Sequence, residues 1–124
     1  MCNDPILFID DDLISRLLNC AVLRESGFDV VEARSPAEAC RIIASGAMFA
    51  ALVIDADIGE GGGFALARHA RQMNPQIAVI YMTGKDVPRY LLEGVHQSLF
   101  VPRPFDPDQI VRALDDAAPA LPVR

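Results

Sequence analysis

Ala51-Leu52-Val53-Ile54-Asp55-Ala56-Asp57 is a short apolar run that ends in carboxylates, and the same design occurs earlier in Ile6-Leu7-Phe8-Ile9-Asp10-Asp11-Asp12. A run of this length without polar alternation reads as a strand buried on both faces, the habit of a parallel sheet. Each carboxylate cluster then emerges where its strand leaves the core, and neighbouring parallel strands bring the two clusters together. Like charges gathered in this way repel unless a cation sits among them. A metal ion, a basic side chain or both would serve.

Helical and extended segments alternate outward from these runs. Ile14, Leu17, Leu18, Ala21 and Val22 recur at helical spacing and mark a first helix, with Gly27 as its stop. Phe28 to Ala33 reads as a second strand, and Ser35-Pro36-Ala37-Glu38 is a capping box that opens a helix ending near Ser45 and Gly46. Ala50 to Ile54 is the third strand. After a glycine-rich loop, Leu66, Ala67, Ala70 and Met73 form the stripe of a third helix, which Asn74-Pro75 stops. Ile77 to Met82 gives a fourth strand, Arg89 to Glu93 a short helical segment, and Ser98 to Val101 a fifth strand. Asp106-Pro107-Asp108-Gln109 caps a closing helix whose stripe includes Ile110, Val111 and Leu114.

Five strands alternating with five helices predict an α/β sandwich with a parallel sheet covered on both faces. The 124 residues are expected to form a single domain, with its core at about residues 5–117 and a frayed tail at 118–124. The net charge of -6 argues against general nucleic-acid binding and points to protein partners or small cationic ligands. Cys2, Cys20 and Cys40 have no metal-ligand spacing, and no apolar run approaches membrane-spanning length. A cytoplasmic protein outside any membrane is expected.

Open sheets of this kind carry their sites beyond the carboxyl ends of the strands. Asp10, Asp11, Asp55, Thr83 and Arg103 all fall at such ends. Mg2+ prefers oxygen ligands and takes one or two carboxylates together with waters and phosphate oxygens. Asp11 and Asp55 are candidates for those carboxylates, Asp10 for holding a metal-bound water, and the backbone carbonyl of Asp57 for a further ligand. A carboxylate sharing a metal with an incoming phosphoryl group can also accept it, which makes Asp55 the natural nucleophile. The Thr83 hydroxyl and the Arg103 guanidinium can each meet a phosphoryl oxygen.

This set resembles the receiver domain of two-component response regulators. The resemblance runs from Pro5 to about Ala117 and rests on Asp10-Asp11, Asp55, Gly63, Thr83-Gly84 and Arg103-Pro104-Phe105 in that order and spacing. It implies a flavodoxin-like (βα)5 three-layer sandwich with strand order 2-1-3-4-5. It further implies that Asp55 is phosphorylated, in the presence of Mg2+, by a sensor histidine kinase or histidine phosphotransfer protein. Thr83 and Phe100 would then act as the switch pair, reshaping the face built from the Arg89 to Glu93 segment, the fifth strand and the closing helix. A downstream protein target would read that face, and homodimerisation through it is permitted. The chain looks like a stand-alone receiver: a phosphoacceptor rather than an enzyme, assisting only its own phosphorylation and dephosphorylation.

Several positions depart from the family pattern. Arg103 stands where lysine is usual, and a planar fork is not equivalent to a compact point charge at a phosphate site. Gly59 replaces a common proline, and Pro102 removes a backbone donor at the end of the fifth strand. Asp57 and Lys85 flank the expected pocket, and their pairing across its mouth would restrict attacking water. Asp12 reads as a helix N-cap, and His69 and His96 as surface or packing residues. Asp55-x-Asp57 also invites a haloacid-dehalogenase-like phosphatase reading, but that motif usually sits on the first strand of a larger chain. The competing functional reading is a pseudo-receiver, a phosphorylation-independent interaction module in which Arg103 is a permanent counter-charge.

Overall fold

The computed structural model describes residues 4–58, 62–83, 94–102 and 106–117. The two apolar runs become strands β1 (Ile6–Ile9) and β3 (Ala51–Asp55), buried at every position. They lie side by side in parallel register, from Ile6 opposite Ala51 to Ile9 opposite Ile54. With β2 (Val30–Ala33), β4 (Ala78–Thr83) and β5 (Ser98–Pro102) they form one parallel sheet in the order β2-β1-β3-β4-β5. That is the expected flavodoxin-like order. Strands β3 and β4 each extend one residue past the apolar run, because Asp55 still pairs with Met82 and Thr83 with Pro102.

Four helices cover the sheet among the described residues: α1 (Leu13–Glu25), α2 (Pro36–Ala44), α3 (Gly62–Met73) and α4 (Pro107–Ala117). The expected segment from Arg89 to Glu93 lies outside the described residues. Successive side chains of a strand point to opposite faces, and the core divides accordingly. Leu7, Ile9, Leu52, Ile54, Val79 and Tyr81 pack with Ala39 and Ile43 of α2 and with Phe64 and Ala67 of α3. Ile6, Phe8, Val53, Ile80 and Met82 pack with Cys20 and Leu23 of α1 and with Ile110 and Leu114 of α4. The result is a three-layer sandwich.

The helix starts follow their capping signals. Ser35 Oγ accepts from the Glu38 N–H at 3.1 Å, while the Glu38 carboxylate accepts from the Arg34 N–H at 3.0 Å, one residue earlier than the usual reciprocal bond. At α4, Asp106 accepts from the Asp108 N–H at 3.0 Å and Gln109 accepts from the Asp106 N–H at 2.7 Å. Gly27 and Gly46 end α1 and α2 with φ of 97° and 89°, a region costly for residues with a Cβ.

Helix α1 corrects the reading of its apolar face. Leu13, Ile14, Leu17 and Leu18 are all more than half exposed, whereas Arg16, Asn19, Cys20 and Leu23 face inward. The polar members of the inner face are held by specific partners: Arg16 by Glu32 and the Asp10 carbonyl, and Asn19 by Ser15. Met73, counted in the stripe of α3, is likewise exposed, and Phe64 fills the core instead.

Candidate functional site

The β1 and β3 register places Asp10 and Asp55 next to each other at the carboxyl edge of the sheet. Asp10 is fully buried, Asp55 nearly so, and Asp11 is exposed in the turn that follows β1. One carboxylate oxygen from each of the three lies within 4.8 Å of the others. Two full charges at that separation repel by about 3 to 4 kcal/mol at an effective dielectric of about 20. The cluster therefore calls for a cation. Among the described residues its donors are all carboxylate oxygens, with neither histidine nor cysteine in the group, which fits a hard ion such as Mg2+ better than zinc.

Local backbone geometry holds the Asp10 and Asp55 carboxylates. The Asp10 N–H donates to the Ala33 carbonyl at 3.2 Å, its carboxylate accepts from the Asp12 N–H at 3.0 Å, and its own carbonyl accepts from Arg16 Nη1 at 2.8 Å. Asp12 turns the other way and caps α1, accepting from the N–H groups of Ile14 and Ser15 at 3.0 and 3.4 Å. Asp55 Oδ1 accepts from the Asp57 N–H at 2.9 Å, so Asp57, itself half-buried, is tied to the acceptor position through its backbone. The turn is fixed further by Ala56 N–H to the Met82 carbonyl at 2.8 Å and Ile58 N–H to the Asp55 carbonyl at 3.2 Å.

Thr83 closes β4 one residue past Met82, which is the partner of Asp55, and stands opposite Pro102. Its side chain, like Arg103 and Lys85, lies outside the described residues, and so does the expected pairing of Lys85 with Asp57. Phe100 is half-buried on β5 opposite Tyr81, well back from the strand ends. It lines a groove of about 290 Å3 with Leu99, Pro102, Gln109, Arg112 and Asp116 between β5 and α4. His69 and His96 are not members of the carboxylate group.

Arg16 and Glu32 adjoin the site and escaped the reading of the sequence. The available signal was the spacing of Arg16, Asn19, Cys20 and Leu23, itself a helical stripe, but hydropathy ranks the neighbouring leucines above it.

The sequence matches the family described as response regulator receiver domain over residues 6–115. It is 27% identical over 107 residues to the aerobic respiration control protein ArcA of Escherichia coli, covering 85% of this chain and 44% of that protein. The sensor protein TorS of Escherichia coli is 26% identical over 102 residues, 80% of this chain and 11% of TorS. The chain thus spans less than half the length of these curated relatives. Among solved structures, a response regulator receiver protein from Sinorhizobium medicae WSM419 superposes with a TM-score of 0.89 at 29% identity, covering 94% of this chain and 95% of that one.

Proposed function

Since this chain belongs to the response regulator receiver family, we propose that it is a phosphoacceptor whose Asp55 takes a phosphoryl group from a phosphohistidine. The donor is a sensor histidine kinase or a histidine phosphotransfer protein. The observation that carries this reading is the approach of Asp10, Asp11 and Asp55 oxygens to within 4.8 Å at the edge of the sheet. Bound Mg2+ would neutralise charge on the transferring oxygens. Asp11 and Asp55 would be its carboxylate ligands, Asp10 would hold a water, and the Asp57 carbonyl would add a further oxygen.

An Asp55 carboxylate oxygen attacks phosphorus while the N–P bond to the donor imidazole breaks, and the imidazole leaves and takes up a proton. Thr83 donates to one phosphoryl oxygen and Arg103 supplies charge to another. Movement of Thr83 and Phe100 then carries the change to the groove between β5 and α4, where a downstream protein reads it. The exposed leucine-rich face of α1 begins directly after the acidic turn, which supports docking of a protein donor beside Asp55. The cytoplasm is the setting in which we place this cycle.

Mg2+ with beryllofluoride tests the reading. The wild type is expected to show altered amide spectra around Asp55, and Asp55→Asn to show none. Absence of any response in the wild type, together with inertness toward a competent phosphohistidine donor, would leave a phosphorylation-independent interaction module in its place. Arg103→Lys distinguishes tuning from loss: faster switching means that arginine adjusts an otherwise intact site.

A further inference from the structure

Arg16 is the least expected occupant of the interior. Its side chain is 8% exposed, and its fork is divided between two elements: Nε meets Glu32 Oε1 of β2 at 3.2 Å, and Nη1 donates to the Asp10 carbonyl at 2.8 Å. Glu32 is held in turn, since Arg24 Nη1 reaches its second oxygen at 3.1 Å while Arg24 Nη2 donates to the Val30 carbonyl at 3.0 Å. A strut therefore runs from β2 through Glu32 and Arg16 to the end of β1.

A partly buried ion pair of this kind is a poor source of stability, because desolvation offsets much of the attraction and well-packed apolar residues often do as well. What the strut does is directional. The carbonyl it grips belongs to the peptide that joins Asp10 to Asp11, and rotation of that peptide plane would swing both carboxylate-bearing residues. The same turn also presents the Asp12 N–H to the Asp10 carboxylate. Glu32, shared with the half-exposed Arg24, offsets part of the guanidinium charge and so weakens the repulsion of a cation nearby.

We infer that Arg16, anchored on Glu32, is a positioning residue that fixes the Asp10–Asp11 peptide and thereby sets the geometry of the acidic site. Its consequence for metal affinity rests on the function proposed above; its consequence for the turn does not.

Amide hydrogen exchange of the metal-free protein and Mg2+ titration calorimetry test it together. In Arg16→Met the Asp12 amide is expected to exchange about tenfold faster while the Leu52 and Val53 amides of β3 are unchanged, and the Mg2+ Kd to rise about tenfold. Arg16→Lys keeps charge and stem but has a single nitrogen for two acceptors, so an intermediate effect is expected; it also serves if Arg16→Met does not fold. Unchanged Asp12 exchange in a folded variant, or equal acceleration of all amides, would overturn the inference by making Arg16 irrelevant or merely structural. Should the wild type bind no Mg2+ while Asp12 exchange still responds to Arg16, the metal reading fails and the positioning role stands.

Discussion

Gly63 stands so close to Asp55 that a Cβ built on it would lie 2.6 Å from the Asp55 carbonyl oxygen and 2.9 Å from Ala56 Cα. Both neighbours are backbone, so neither can swing aside as a flexible side chain would. Gly63→Ala should force α3 away from the turn that carries Asp55, at a cost of about 1 to 3 kcal/mol. Urea denaturation measures that loss. Gly46→Ala is the useful contrast: it meets no atom within 4 Å, and its cost comes only from the positive φ of its backbone.

The outer face of α1 separates docking from folding. Ile14 is 64% and Leu18 60% exposed, whereas Leu23 is fully buried against the sheet. Ile14→Asp and Leu18→Asp should change stability by no more than about 0.5 kcal/mol, while Leu23→Ala should cost about 2 to 5 kcal/mol. The two exposed variants should slow phosphoryl transfer from a protein donor by about tenfold, the effect of losing an interface anchor. Their modification by acetyl phosphate should be unchanged. Comparing the two donors in one kinetic series checks this.

The sheet and the acidic site were legible because they rest on simple signals. Short continuous apolar runs fit buried strands better than helices, and their aspartate endings mark one edge. Capping was legible at Ser35 and Asp106, where short side chains meet local backbone donors. The inward face of α1 was not legible. Its buried positions carry Arg16 and Asn19, whose presence inside depends on Glu32, the Asp10 carbonyl and Ser15, partners that no hydropathy pattern specifies. The exposed leucines mislead for the complementary reason: exposed apolar patches mark surfaces kept for a partner outside the chain.

Cys20 gives the protein an alkaline weakness. Burial, reinforced by the nearby Glu32 carboxylate, pushes its thiol up from 9.0 to about 12. Folding thus favours the protonated thiol. The associated stability is complete below pH 9.0 and declines as the unfolded chain ionises between 9.0 and about 12, by up to about 1.4 kcal/mol per pH unit. The difference in urea midpoint between wild type and Cys20→Ala should shrink across that window. A difference that stays constant with pH would contradict the expectation.

The central claim is that Asp55 accepts a phosphoryl group at a carboxylate site completed by Mg2+. Intact-mass measurement after incubation with acetyl phosphate tests it most directly, with Mg2+ present in one sample and chelated in another. One added phosphoryl group is expected in the presence of Mg2+, mapping to Asp55 after borohydride reduction and absent from both Asp55→Asn and the chelated sample. An unmodified wild type in Mg2+ that also refuses a phosphohistidine donor, or a label that persists in Asp55→Asn, would contradict it.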